Sequence, residues 1–288
     1  MALPSLTGQF ITAPFRSLAP NVGAGAVLPV GWQSITTRPL LILVGPTGVG
    51  KSTTVKHLTQ QGLGFTLLPD RRVLTDELII APQAAAQGRA EPVTCRLERL
   101  EFARRYRDQH PGGMGEILQQ LAVLTPGVQS LLIFDGLRGR AEVSYAAQAL
   151  PQAAFVMLDA PDWVRLLRML HRQDPFDRVQ AIPASSGVQA VSDLEALGIP
   201  QAMAYFSPSE TAAMLNWVQT GLVTPHELRG KLKVIVEQAQ TYQPAATRTA
   251  LRQWAGDRSL IVDTARQAPD QVAQAIIALV RALWPSLA

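Results

Sequence analysis

The chain has 288 residues, 47% of them hydrophobic and 17% charged, a formal net charge of +4 and one cysteine, Cys95. That balance supports a sizeable core and suits anionic small molecules, while the charge is too weak to indicate a nucleic-acid surface. A lone cysteine excludes an internal disulfide framework and a zinc–cysteine cluster, and no apolar run is long enough to span a membrane. The expectation is a compact protein of one large domain, with or without an insert, in the cytoplasm.

Residues 1–37 are rich in Gly, Pro, Ser and Thr, with Arg16 as the only charged side chain, and the first acid is Asp70. They lack both the early positive region and the continuous apolar stretch of a secretory signal, and the arginines of a transit peptide. Residues 1–38 are therefore expected to be an irregular N-terminal extension lying on the domain. Pro39 to Val44 then reads as a short buried strand, and Lys51 to Gln61 as the helix after it. Further strands are expected at Phe65–Leu68, Ser130–Asp135, Ala153–Asp159 and Leu260–Asp263. Helices are expected at Leu97–Gln109, Glu116–Leu124, Asp162–Arg172 and Pro269–Leu283.

Apolar strands alternating with helices predict a parallel sheet covered on both faces. The expected fold is a three-layer α/β P-loop NTPase fold, with a sheet of about five strands in the order 2-3-1-4-5. Ligands then sit beyond the carboxyl ends of the strands, where Gly45, Asp135, Asp159 and Asp263 all fall. Between the fourth and fifth strands, Ser207-Pro-Ser-Glu210 and Thr224-Pro-His-Glu227 each read as a helix start. Residues 181–256 are thus expected to form a helical insert in a domain made of 39–180 and 257–288.

The chemistry is concentrated at Gly45-Pro46-Thr47-Gly48-Val49-Gly50-Lys51-Ser52, which matches G-x-x-x-x-G-K-[ST] in full and runs on into Thr53. Glycines let backbone amides approach phosphate oxygens, and the helix start adds positive potential. Lys51 would reach the β- and γ-phosphates, and the Ser52 hydroxyl would ligate magnesium. Asp135, at the end of the third strand, would hold magnesium or take a proton from an acceptor hydroxyl. Arg138 and Arg140 follow it, as phosphate-neutralising groups or as solvated loop residues. Asp70, Arg71 and Arg72, beyond the second strand, would grip a second substrate or form an ordinary polar turn. Arg165, Arg168 and Arg172 share one helix face, as lid arginines or as a solvated face. His57, His110, His171 and His226 have no metal-binding spacing, and no G-x-S-x-G nucleophile turn occurs. Trp163, Trp217, Trp254 and Trp284 are expected in the core. No N-K-x-D stretch of the GTPase kind is present, so ATP is the expected nucleotide.

The segments "GPTGVGKST", "LLIFDG", "FVMLDAPDWVRLLRMLHR" and "SLIVDTARQAPDQVAQAI" follow the order found in P-loop kinases of small molecules and nucleotides. Over residues 39–178 and 259–283 the chain resembles the nucleoside monophosphate kinase-like group. The resemblance implies that Lys51 and Ser52 bind phosphate and magnesium, and that Asp135 carries magnesium or acts as base. It implies lid roles for Arg165, Arg168 and Arg172, and a base pocket lined by Thr264 to Ala268. The implied reaction uses ATP and Mg2+ and passes the γ-phosphate to a small molecule or nucleotide. Two alternatives stand beside it. One is a regulatory or assembly ATPase whose nucleotide moves the helical insert against a protein partner. The other is prenyl transfer, because tRNA dimethylallyltransferases carry a similar "GPTGVGKS" loop. Against the latter, "PDRR" matches their following Asp-Ser-Arg-like turn only loosely.

Overall fold

The computed structural model describes residues 14–89, 91–171 and 193–287. Its centre is β4 (Leu40–Val44), in which all five residues are buried. An aliphatic run with no polar position can only lie inside a sheet covered on both faces. β4 pairs in parallel with β7 (Leu132–Leu137) on one side and β8 (Ala153–Asp159) on the other. The two-residue β5 (Thr66–Leu67) lies outside β7, and β9 (Ser259–Asp263) lies outside β8, both parallel. Counted from the central strand, the spatial order is the expected 2-3-1-4-5.

Alternation along the strands divides the core. Leu40, Ile42 and Val44 join Phe134 and Phe155 beneath α5 (Met114–Gln119), α6 (Gly139–Ala149) and α10 (Pro244–Trp254). Leu41 and Leu43 join Ile133 and Val156 beneath α1 (Lys51–Gln60) and α11 (Pro269–Leu283).

The extension departs from expectation. β1 (Arg16–Ala19), β2 (Val22–Ala24) and β3 (Trp32–Ser34) are not irregular; they build a second sheet with β6 (Leu121–Leu124), antiparallel in the order β1-β2-β6-β3. The helix expected through Leu124 stops at Gln119, and "LAVL" becomes the strand β6. Four apolar residues satisfy a buried helix end or a buried strand equally well. The choice is made by β2 and β3, which flank β6 on both sides and complete its backbone hydrogen bonds.

Between β5 and the next strand, α2 (Arg71–Thr75) passes through a π-helical turn at Asp76–Ile80 into α3 (Ala81–Ala86). Pro82 has no N–H to offer the carbonyl four residues back, and the widened turn lies just before it. α4 (Arg96–Gln109) follows. After β8 come α7 (Asp162–Leu170), α8 (Pro208–Gln219) and α9 (Pro225–Thr241), the last two with proline at the helix start. Ser207 and Glu210 form the reciprocal capping box, and Thr224 accepts from the Glu227 amide. Leu166 and Met169 of α7 share one apolar cluster with Met214 of α8 and Leu228, Leu232 and Ile235 of α9. Trp163 stacks on Trp217 with ring centroids 5.1 Å apart. Trp254, expected in the core, is 41% exposed at the end of α10, because the inward face of that helix is taken by Ala250 and Leu251. Arg172 lies outside the described residues.

A chain beginning at Thr37 would strip both neighbours from β6. It should lose at least about 10 °C in Tm or aggregate at the exposed strand edge. A melting curve unchanged from the full chain would show that the second sheet does not support the first.

Candidate nucleotide site

β4 runs directly into the glycine loop. Gly45 and Gly48 have φ of +147° and +87°. A Cβ on Gly45 would lie 2.6 Å from the Leu158 carbonyl oxygen, and one on Gly48 2.9 Å from that of Arg165. The loop therefore packs backbone to backbone between the end of β8 and α7, and both contact and dihedral demand glycine. No side chain caps the start of α1, so its first-turn amides and positive end are left for an anion. Ser52 and Thr53 are exposed in that turn. Lys51 bends over the loop, and its Nζ donates to the carbonyls of Gly45 (2.8 Å) and Pro46 (3.0 Å).

α7 braces the loop from below. Arg165 Nε donates to the Thr47 carbonyl at 2.9 Å, its Nη2 donates to Gln238 Oε1 at 2.7 Å, and its Nη1 pairs with Asp162. Gln238, on α9, accepts from the Thr47 amide at 2.9 Å and donates to the Thr47 hydroxyl at 2.7 Å. Arg168 donates to the Gly48 carbonyl (3.3 Å), the Thr264 hydroxyl (2.9 Å) and the Thr264 carbonyl (2.6 Å). The Thr264 hydroxyl in turn donates to Val49 at 2.8 Å. Arg165 and Arg168 thus hold loop carbonyls in place and do not form a solvated face; Arg165 is 4% exposed. Sequence reading missed Gln238, which lies 191 positions from Thr47 in a helix of unremarkable composition.

On the other side, the register between β4 and β7 slips. Ile42 pairs with Phe134, whereas Val44 pairs with Leu137, so Asp135-Gly136 form a bulge. Bulges re-aim side chains at strand ends. The Asp135 carboxylate makes no hydrogen bond among the described residues and acts on Lys51 through its charge. Burial is the main cause that pulls the Lys51 pKa from 10.5 down to about 7; Arg138, Arg165 and Arg71 add to it, and Asp135 opposes it. Burial, helped by Arg71, also brings Arg138 down to about 10. Arg138 Nε is buried with no hydrogen-bond partner among the described residues.

Glu142 of α6, a second residue not foreseen, organises this corner. Its carboxylate accepts from Arg71 Nη1 and Nη2 at 2.7 and 2.5 Å and from the Arg138 amide at 2.8 Å. Burial would lower the Arg71 pKa, but the charge and hydrogen bonds of Glu142 outweigh it and raise it. Arg71 also donates to the Gly136 carbonyl at 2.9 Å, which ties α2 to the bulge. Asp70 instead caps α2, accepting from the amides of Arg72 (2.8 Å) and Val73 (2.9 Å). Arg72 and Arg140 lie on the exposed surface.

A pocket of about 520 Å³ opens beside the loop, lined by Gly50, Arg168, His171, Thr264, Gln267 and Pro269 among others. Thr264 and Gln267 belong to the span expected to hold a nucleotide base. No cluster of three or more His, Cys, Asp or Glu side chains among the described residues could cage a metal. Hard-oxygen groups at Ser52 and Asp135 fit magnesium all the same, because that ion keeps waters and substrate phosphates as ligands and needs only one or two from protein.

A glycine loop joining the central parallel strand to an uncapped helix, with a lysine folded across it, defines a P-loop nucleotide-binding fold. The sequence matches no protein-family model and no curated protein. Solved structures similar to the chain include a sugar kinase from Janibacter sp. HTCC2649, at 17% identity over 87% of this chain and 98% of that one, with a TM-score of 0.37. Shikimate kinase from Acinetobacter baumannii is 16% identical over 86% and 96%, with a TM-score of 0.39. A gluconokinase from Sinorhizobium meliloti 1021 is 14% identical over 87% and 95%, with a TM-score of 0.38. Likeness at this level assigns no family and no chemistry.

Two outcomes follow from the geometry. Glu142→Gln leaves the Arg71 and Arg138 charges without their shared carboxylate and should cost about 3 kcal/mol in denaturant unfolding; a loss below about 0.5 kcal/mol would show that the pair is solvated. Lys51 binds its proton less tightly when folded than when unfolded, so its burial costs stability fully below pH 7. That cost is relieved as pH rises from about 7 toward 10.5. The stability difference between wild type and Lys51→Met should therefore shift in favour of wild type across that window, and a pH-independent difference would rule out the depressed pKa.

Proposed function

We propose that this protein is an ATP- and magnesium-dependent phosphotransferase that passes the γ-phosphate of ATP to a small molecule or nucleotide. The observation that carries the reading is the cationic corner at the loop: Lys51 is buried among Arg71, Arg138 and Arg165, and Arg138 Nε has no hydrogen-bond partner among the described residues. Desolvated cations with unmet hydrogen-bonding capacity are costly unless an anion completes them. A polyphosphate does so, using the loop amides, Lys51 and Arg138 together.

In this reading the base occupies the pocket between Arg168 and Pro269, and the triphosphate runs along the loop. Ser52 and Asp135 would hold magnesium, which would supply positive charge against the negative charge that develops in transfer. Asp135, aimed by its bulge, either serves that metal or accepts the proton of the attacking hydroxyl. Arg71, fixed by Glu142 and the Gly136 carbonyl, would stand on the acceptor side. Positioning and charge neutralisation then supply the rate.

A second reading is favoured by one observation, the two-bond grip of Gln238 on Thr47. It ties α9 to the phosphate loop, so a nucleotide that shifts the loop would shift the helices packed with α9. That is the linkage a regulatory ATPase needs to act on a protein partner.

Incubation with ATP and magnesium, alone and with a panel of nucleotides and hydroxylated metabolites, separates the two. ADP formed only with a particular acceptor, without matching free phosphate, is the expected result; steady phosphate release without an acceptor effect selects the ATPase. Lys51→Ala should reduce turnover by roughly a hundredfold or more, and Asp135→Asn should do the same with little change in folding; full activity in both would remove the loop from the chemistry. Bound phosphate should raise the Lys51 pKa, so binding takes up a proton above pH 7. The Kd for ADP should then weaken by up to about tenfold per pH unit above 7, and a flat profile to pH 9 would contradict it.

A further inference from the structure

Most of the polar side chains that line the pocket beside the glycine loop are already committed. Arg168 spends Nη1 on the Gly48 carbonyl and the Thr264 hydroxyl, and Nη2 on the Thr264 carbonyl. The Thr264 hydroxyl donates to the Val49 carbonyl at 2.8 Å. Thr53 and Thr54 stand in the first turn of α1, among the uncapped amides. That leaves His171 and Gln267 to meet the edge of a planar ligand, while Leu167 and Val272 supply apolar wall.

His171 presents one polarity only. Its Nδ1 lies 2.7 Å from the Leu167 carbonyl oxygen. A carbonyl can only accept, so Nδ1 carries the proton, and Nε2 of the neutral ring is an acceptor. Nε2 has no hydrogen-bond partner among the described residues. Gln267 differs, because a half-turn of its amide offers either an oxygen or a nitrogen and so suits either kind of edge. The acceptor at His171 therefore sets the choice. Adenine carries an amino donor at its 6-position, whereas guanine and hypoxanthine carry an oxygen acceptor there. Nε2 facing the amino group gains a hydrogen bond; facing the oxygen it sets lone pair against lone pair and leaves both acceptors unmet. An oxo base could offer its N1–H instead only by shifting along the pocket, which phosphates anchored at the loop resist.

We infer that His171 is the residue that selects adenine over 6-oxo purines, through the Nε2 acceptor that its bond to Leu167 fixes. The inference rests on the nucleotide-binding part of the proposed function and is the same for a phosphotransferase and for an ATPase. α7 then has two tasks at the site: Arg165 and Arg168 brace the loop, and the residue that caps the helix end reads the base.

The test is calorimetric titration of the full chain with magnesium and either ADP or inosine diphosphate, which differ only at the 6-position and the adjacent N1. It is run at about pH 8, where imidazole side chains are generally neutral. ADP should bind at least about tenfold more tightly than inosine diphosphate. His171→Phe keeps a ring and removes the acceptor, so that ratio should fall to about threefold or less. His171→Lys offers donors only, so inosine diphosphate should bind as tightly as ADP or more tightly. His171 is exposed at the helix end, so both variants should keep the wild-type melting curve. Equal affinity of the wild-type chain for the two nucleotides, or undiminished discrimination in His171→Phe, would overturn the inference and leave nucleotide binding standing. No binding of either nucleotide at about 1 mM would overturn both.

Discussion

Positive charge crowded against one turn of backbone is the constraint around which this molecule is arranged. Arg71, Arg138 and Arg165 all act electrostatically on Lys51 at the glycine loop, and Arg71 and Arg165 act on Arg138 as well. Such a cluster is tolerable only if each member is anchored to something else. Glu142 holds Arg71, Asp162 holds Arg165, and loop carbonyls hold Lys51. Arg138 is the exception, with its backbone fixed by Glu142 and its Nε without a partner among the described residues. In the proposed function, an anion at this corner would meet the loop amides together with Lys51 and Arg138.

The anchors come from every layer. α2 supplies Arg71, α6 supplies Glu142, α7 supplies Arg165 and Arg168, and α9 supplies Gln238. The sheet's role is to set the distances among them. Its central strand ends at Gly45, its neighbour β7 bulges at Asp135, and β8 delivers α7 against the back of the loop. Loop conformation, bulge and brace are thus mutually dependent. Gly48 can approach Arg165 closely only because it has no Cβ, and that approach is what brings the Arg165 Nε to the Thr47 carbonyl.

The helices after α7 do more than cover the sheet. α7 shares an apolar cluster with α8 and α9 on one face and grips the loop with its arginines on the other. A displacement at either face must be felt at the other, since packed side chains do not deform continuously.

The sequence by itself determined the parallel sheet, its strand order and the loop. A five-residue aliphatic strand, G-x-x-x-x-G-K-S and a helix leave no other arrangement, because period, glycine placement and helix start are all local properties. It did not determine whether 121–124 is helix or strand, nor that residues 16–34 form a sheet. Those depend on pairing between segments about a hundred positions apart, and a four-residue apolar run carries no period to distinguish the two. It named Asp135 and Arg138 from their positions at and after a strand end, and Arg165 and Arg168 from helical spacing, but could not assign those two helical arginines to the loop carbonyls. Helical spacing shows that they share a face and cannot show what that face meets. The roles of Gln238 and Glu142 were decided by tertiary structure alone. Each is an ordinary polar residue in an ordinary helix, and its meaning lies in the partners that the fold places beside it.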